Sequence, residues 1–159
     1  MNILNELHQR FLIELLKNDV EFIVVGGLSV VFHGYIRTTG DMDLWVRPDN
    51  QNKQNLIRVI AHFGVSQESI DLLRTKDFTK TMAFHFNNPP EKIEFLTYIS
   101  GLKFDTVFPN CKYLTIEQYN IPFLRYEDLI INKISSGRLK DQADVEELRK
   151  IHRKTNRTT

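Results

Sequence analysis

The stretch FIVVGGLSVVFHGYIRTTGDMDLWV, residues 22–46, decides the fold. The β-branched run Val20 to Val25, of the kind that forms a buried strand, leads into it. Gly26-Gly27 punctuates it, and Leu28 to Phe32 reads as a short helix closed by Gly34. Asp41 to Val46 then alternates polar and apolar ahead of Pro48, which predicts a strand with one specialised face. Side chains two apart on a strand share a face, so Asp41 and Asp43 project together, their Cβ atoms roughly 7 Å apart. Two carboxylates on one face repel each other unless positive charge stands between them. A hard divalent cation with oxygen ligands, Mg²⁺ or Mn²⁺, meets that need; an ordinary solvated strand face is the plainer alternative. Upstream, glycines at positions 26 and 27 let backbone N–H groups approach a phosphate, and Ser29 offers a hydroxyl donor. Between them, Arg37 is placed to neutralise a phosphate or to fix an aspartate, and Thr39 shares the odd-numbered face with the two acids if the strand begins early.

Working outward, Ile3, Leu4, Leu7, Phe11, Leu15 and Leu16 recur at three- and four-residue steps and predict an amphipathic helix over 3–17 that packs on a sheet. Asp49 or Asn50 caps a helix running to about Phe63, stopped by Gly64. A second helical stretch covers Gln67 to Arg74. Thr81–Phe86 and Lys92–Tyr98 read as strands joined across Asn87-Asn88-Pro89-Pro90, and residues 101–111 as a loop. Short strands follow at Tyr113–Ile116 and Ile121–Leu124, then helices at Glu127–Ser135 and Gln142–His152 and a basic end, RKTNRTT, expected to fray. The order implies an α/β or α+β domain with a mixed sheet flanked by helices. A single domain over 1–159 is expected, its core at about 18–125 and a C-terminal helical segment at about 126–153.

Composition narrows the classes. Lys+Arg at 21 against Asp+Glu at 20 leaves a formal charge of +1, so global charge makes no case for nucleic acid or an anionic membrane. One cysteine, Cys111, excludes an internal disulfide and a multi-cysteine zinc site. Glu6, Glu14 and Asp19 interrupt the first apolar pattern, which argues against a signal peptide or a membrane span and for a cytoplasmic protein. His33 and His85 have no partner at metal-ligand spacing, Trp45 reads as core, and no Walker glycine loop is present.

Gly26-Gly27, thirteen intervening residues and Asp41-Met42-Asp43-Leu44 together resemble the signature of the nucleotidyltransferase superfamily related to DNA polymerase beta. The fuller pattern, Gly-Gly-x-Ser with Arg-x-Thr-x-Asp-x-Asp, is similar to minimal nucleotidyltransferases and to AbiEii-like toxins of bacterial toxin–antitoxin pairs. The resemblance implies a third carboxylate on a later strand, and Glu94 in Ile93-Glu94-Phe95-Leu96 takes that place, with Glu91 in the turn as the competing choice. Glu departs from the Asp common in the family. LIINKISSGRLKDQADVEEL, residues 129–148, resembles the family's helical segment. There Lys133 and Lys140 either bind the triphosphate or sugar, or make helix-surface ion pairs, with Asp141 as a cap.

The activity so implied is Mg²⁺-dependent transfer of a nucleoside monophosphate from a nucleoside triphosphate to a protein or RNA hydroxyl. Asp41, Asp43 and Glu94 are the expected catalytic and metal-holding acids, and Gly26, Gly27, Ser29, Arg37, Thr39, Lys133 and Lys140 the expected nucleotide contacts. A cognate antitoxin is the implied partner. The rival reading is a nucleotide-binding, regulatory or antitoxin-type protein that keeps the fold without turnover.

Overall fold

The computed structural model describes residues 3–157. Strand β1, Phe22–Val25, is buried along its whole length, as its β-branched run requires. Helix α1, Glu6–Lys17, precedes it. It starts later than the apolar stripe because the Asn5 side chain accepts from the His8 N–H and caps the helix there. Helix α2 takes both glycines into its first turn, spanning Gly26–Phe32. Strand β2 is Asp41–Val46. Helix α3, Asn50–Ile60, is capped by Asp49, whose carboxylate accepts from the Asn52 N–H. It ends short of Phe63, and Gly64 turns the chain at φ +79°. Helix α4 covers Gln67–Arg74, and strands β3 and β4 cover Ala83–Phe86 and Lys92–Leu96.

The expected loop at 101–111 instead holds a one-turn helix α5, Phe104–Val107, and a 3₁₀ turn, Phe108–Asn110. Phe104 and Val107 lie three apart and bury together, the Phe104 ring edge-on to Trp45 at 5.2 Å. Four residues are too few to show a period in sequence. Strands β5, Lys112–Ile116, and β6, Tyr119–Phe123, form a hairpin. Helices α6, Tyr126–Ser136, and α7, Leu139–Arg157, finish the described chain. The basic end was expected to fray after His152, yet α7 continues to Arg157. The His152 ring stacks on Tyr126 at 4.0 Å, and Thr155 donates to the Ile151 carbonyl, which tie these turns down. The last two residues of that end lie outside the described residues.

The six strands form one mixed sheet in the order β3-β4-β2-β1-β6-β5. β1 runs antiparallel to β2 and parallel to β6, while β2 runs parallel to β4. Strand parity splits the core in two. Val24, Met42, Leu44, Ile93 and Phe95 pack with Phe11, Leu12, Leu56 and Ile70 from α1, α3 and α4. Ile23, Val25 and Trp45 face the other way, onto Phe104, Leu129 and Leu148 from α5, α6 and α7. Among the described residues no helix is long and apolar enough to cross a membrane.

Candidate functional site

The odd-numbered face of β2 carries Trp45 in the second core and, toward the strand's start, Asp43 and Asp41 at the core's edge. Register decides who meets them. Asp43 lies opposite Val25 of β1 on one side and Glu94 of β4 on the other, and Asp41 lies opposite Lys92. Cross-strand partners share a face, so Asp41, Asp43, Lys92 and Glu94 form one patch, with neighbouring strands about 4.8 Å apart. His85 of β3, opposite Glu94, extends the row at the exposed edge of the sheet.

The glycine pair is cut to this patch. Gly26 has φ +66°, and a methyl group added there would stand 2.2 Å from Asp43 Oδ2. One added to Gly27 would stand 2.6 Å from Thr39 Oγ1 and 3.4 Å from an Arg37 Nη2. Only glycine lets the start of α2 press against the acids and the loop that leads into them. Thr39 precedes β2 rather than beginning it, and its hydroxyl donates to the Asp41 carbonyl at 3.2 Å.

Burial, with the charges of Glu94 and Asp41 beside it, pushes the Asp43 carboxyl up to about 6; Lys92 and Lys133 pull the other way. The Lys92 ammonium stands 3.6 Å from Asp41 Oδ2 and 3.6 Å from Glu94 Oε2. Asp43 also opens onto a cavity of about 300 Å³ lined by Gly26, Tyr98, Lys133, Ser136 and Arg138. A neighbouring cavity of about 550 Å³ shares Tyr98 and is lined further by Arg47, Lys103 and Phe104.

Lys133 is 3% exposed. Its Nζ lies 3.0 Å from Asp141 Oδ1 and 3.1 Å from Asp144 Oδ2. Arg37 reaches the same Asp144 oxygen through Nη2 at 3.1 Å. Ser136, Lys133 and Arg138 all donate to Asp141. Burial pushes the Asp141 carboxyl up, but these donors and the Lys133 charge outweigh it and hold the group below its ordinary value. Asp141 is therefore the hub of a buried ion cluster that joins α6 and α7, and Asp144 extends that cluster to the loop before β2.

The structure thus brings Asp41, Asp43, Glu94, Gly26, Gly27, Thr39, Arg37 and Lys133 to one end of the sheet. Ser29 and Lys140 stand apart. The Ser29 hydroxyl is fully buried without a hydrogen-bond partner, and Lys140 is exposed on α7; neither lines the cavity. Glu91, in the exposed turn, lies outside β4. Sequence reading passed over Lys92 and Tyr98. Glu94 came from the resemblance alone; the period of two along β4, applied to it, would have pointed to Lys92 on the same face, whereas Tyr98 lies past the strand's end.

The donor set suits Mg²⁺ or Mn²⁺ in kind: carboxylates on one face, excess negative charge that raises Asp43, and a cradle that any side chain at position 26 would fill. Among the described residues no three His, Cys, Asp or Glu side chains already stand together closely enough to hold an ion. Asp41 and Glu94 are 36% and 30% exposed, which leaves their rotamers free to close on one.

No curated protein matches the chain. The model of the family described as nucleotidyltransferase of unknown function (DUF6036) matches residues 2–153. With nearly the whole chain spanned and the acidic patch, glycine cradle and mixed sheet in place, the chain belongs to this nucleotidyltransferase family.

Proposed function

We propose that the chain transfers a nucleoside monophosphate from a nucleoside triphosphate onto a protein or RNA hydroxyl and releases pyrophosphate. The observation that carries this reading is the in-register meeting of Asp43 and Glu94 across β2 and β4, with Gly26 against Asp43 at the edge of the cavity. Asp41, Asp43 and Glu94 would hold Mg²⁺ or Mn²⁺, which when bound supplies positive charge opposite the transferring phosphoryl group. Gly26 and Gly27 leave the backbone open to phosphate oxygens, while Arg37 and Thr39 hold the loop that carries Asp41 in place. Lys133 adds fixed positive charge to the cavity wall. A Glu94 carboxylate oxygen takes the proton of the attacking hydroxyl. Ser29 and Lys140 are given no contact in this scheme, because neither lines the cavity. On the resemblance to AbiEii-like toxins alone, the proposal extends to a cytoplasmic toxin–antitoxin component with a cognate antitoxin as partner.

A second reading, a nucleotide-binding or regulatory protein without turnover, draws on Lys92, whose ammonium already serves Asp41 and Glu94. Incubation with Mg²⁺ and each α-labelled nucleoside triphosphate, with and without candidate acceptors, separates the two. Label transfer and pyrophosphate release that vanish in Asp41→Asn and Asp43→Asn uphold transfer. Binding without release upholds the second reading, and release undiminished in both variants overturns the site.

A further inference from the structure

Lys92 lies directly across from Asp41 and two residues before Glu94, so its side chain leaves β4 on the same face as all three acids. Its Nζ is 3.6 Å from one oxygen of each of two carboxylates, longer than the 2.7–2.9 Å typical of a charge-assisted hydrogen bond. The ammonium is therefore held by charge rather than by a directed bond, and at 23% side-chain exposure it keeps room to move. The other cations at this end are already engaged: Lys133 is paired to Asp141 and Asp144, Arg37 to Asp144 and Arg138 to Asp141. Three carboxylates against one ammonium leave two negative charges, the charge of one divalent ion.

We propose that Lys92 is a tethered counter-ion of the acidic patch, standing where a second divalent cation would otherwise be required, so that the nucleotide-free site takes one metal ion. The inference rests on the metal-binding reading above. On both readings Lys92 lowers the repulsion among the acids; here it also leaves one place for an ion.

The test is Mn²⁺ titration of the nucleotide-free chain at pH 7.5. Bound ion is followed by calorimetry and by the loss of the free Mn²⁺ paramagnetic resonance signal. Wild type is compared with Lys92→Gln, Lys92→Met and Lys92→Arg. Lys92→Met keeps the apolar stem packed, and thermal melts confirm that each variant is folded. Wild type and Lys92→Arg are expected to bind one ion. Lys92→Gln and Lys92→Met, with a third negative charge uncovered, are expected to bind the first ion about tenfold more tightly and to take up a second. Equal affinity and one ion in every variant overturns the role of Lys92 and leaves the metal reading standing. No Mn²⁺ uptake by any of the four chains overturns both.

Discussion

Asp43 is asked to be two things at once: a half-buried side chain at the edge of the sheet's second core, opposite Val25, and a charged group between two other carboxylates. Burial first, then Glu94 and Asp41, raise its pKa from 3.8 to about 6. Between those values the folded chain binds more protons than the unfolded one, so stability falls as pH rises through that window and levels off above it. Asn at this position keeps the shape and removes the charge. The melting temperatures of wild type and Asp43→Asn should therefore agree near pH 4 and separate between pH 4 and 6.5. Above that, the metal-free variant should be the more stable by about 1 to 3 kcal/mol, with allowance for screening at a partly exposed group. Equal pH profiles for the two chains would show that Asp43 is not repelled in the folded state. Saturating Mg²⁺ should stabilise wild type and narrow the gap, since an ion bound to the folded state adds stability only where its ligands are intact.

The glycine at the start of α2 shows the next scale, because its effect is on how one element seats against another. With φ +66° and the Asp43 carboxylate where a Cβ would go, Gly26→Ala has to move either α2 or Asp43. The expected cost is about 1 to 2 kcal/mol in urea unfolding, together with at least tenfold weaker Mn²⁺ binding; Gly40→Ala, with open space around it, is the control. Unchanged metal affinity in Gly26→Ala would show that the cradle does not position Asp43. Elements such as these were largely legible. Strand parity put Asp41 and Asp43 on one face, Gly-Gly marked the strand's end, and Asp49 and Gly64 bounded α3 and its turn. What was not legible was pairing. Nothing in Lys92–Leu96 says that it lies parallel to β2 in the one register that sets Glu94 beside Asp43, since register comes from the whole sheet. Lys133 was expected as a nucleotide contact or as a helix-surface ion pair, and its burial was not legible. On a helix drawn alone it reads as a surface cation, and only the packing of α7 on α6 turns it inward onto Asp141 and Asp144.

That packing sets the behaviour of the molecule as a whole. Asp144 on α7 receives Lys133 from α6 and Arg37 from the loop entering β2, so the C-terminal helices are bonded to the segment that delivers Asp41. The pairs are nearly dry, with Lys133 and Asp144 side chains each 4% exposed, and the Arg37 Nε is already buried without a partner. Removing one partner of a buried ion pair strands the others at a cost of about 3 to 5 kcal/mol. Asp144→Asn should accordingly lower stability toward urea by roughly 3 kcal/mol. Its more telling effect is local: amide exchange over residues 35–40 should quicken, because Arg37 then loses its charged partner and keeps its bond to the Thr38 carbonyl. Arg37→Met should quicken the same amides. If the Arg37–Asp144 contact is what holds the loop, the double variant exchanges there no faster than the faster single one, as expected for residues acting through one shared contact. Additive acceleration would mean that α7 and the loop are held independently, and that the C-terminal helices support the acidic patch only through the sheet beneath it.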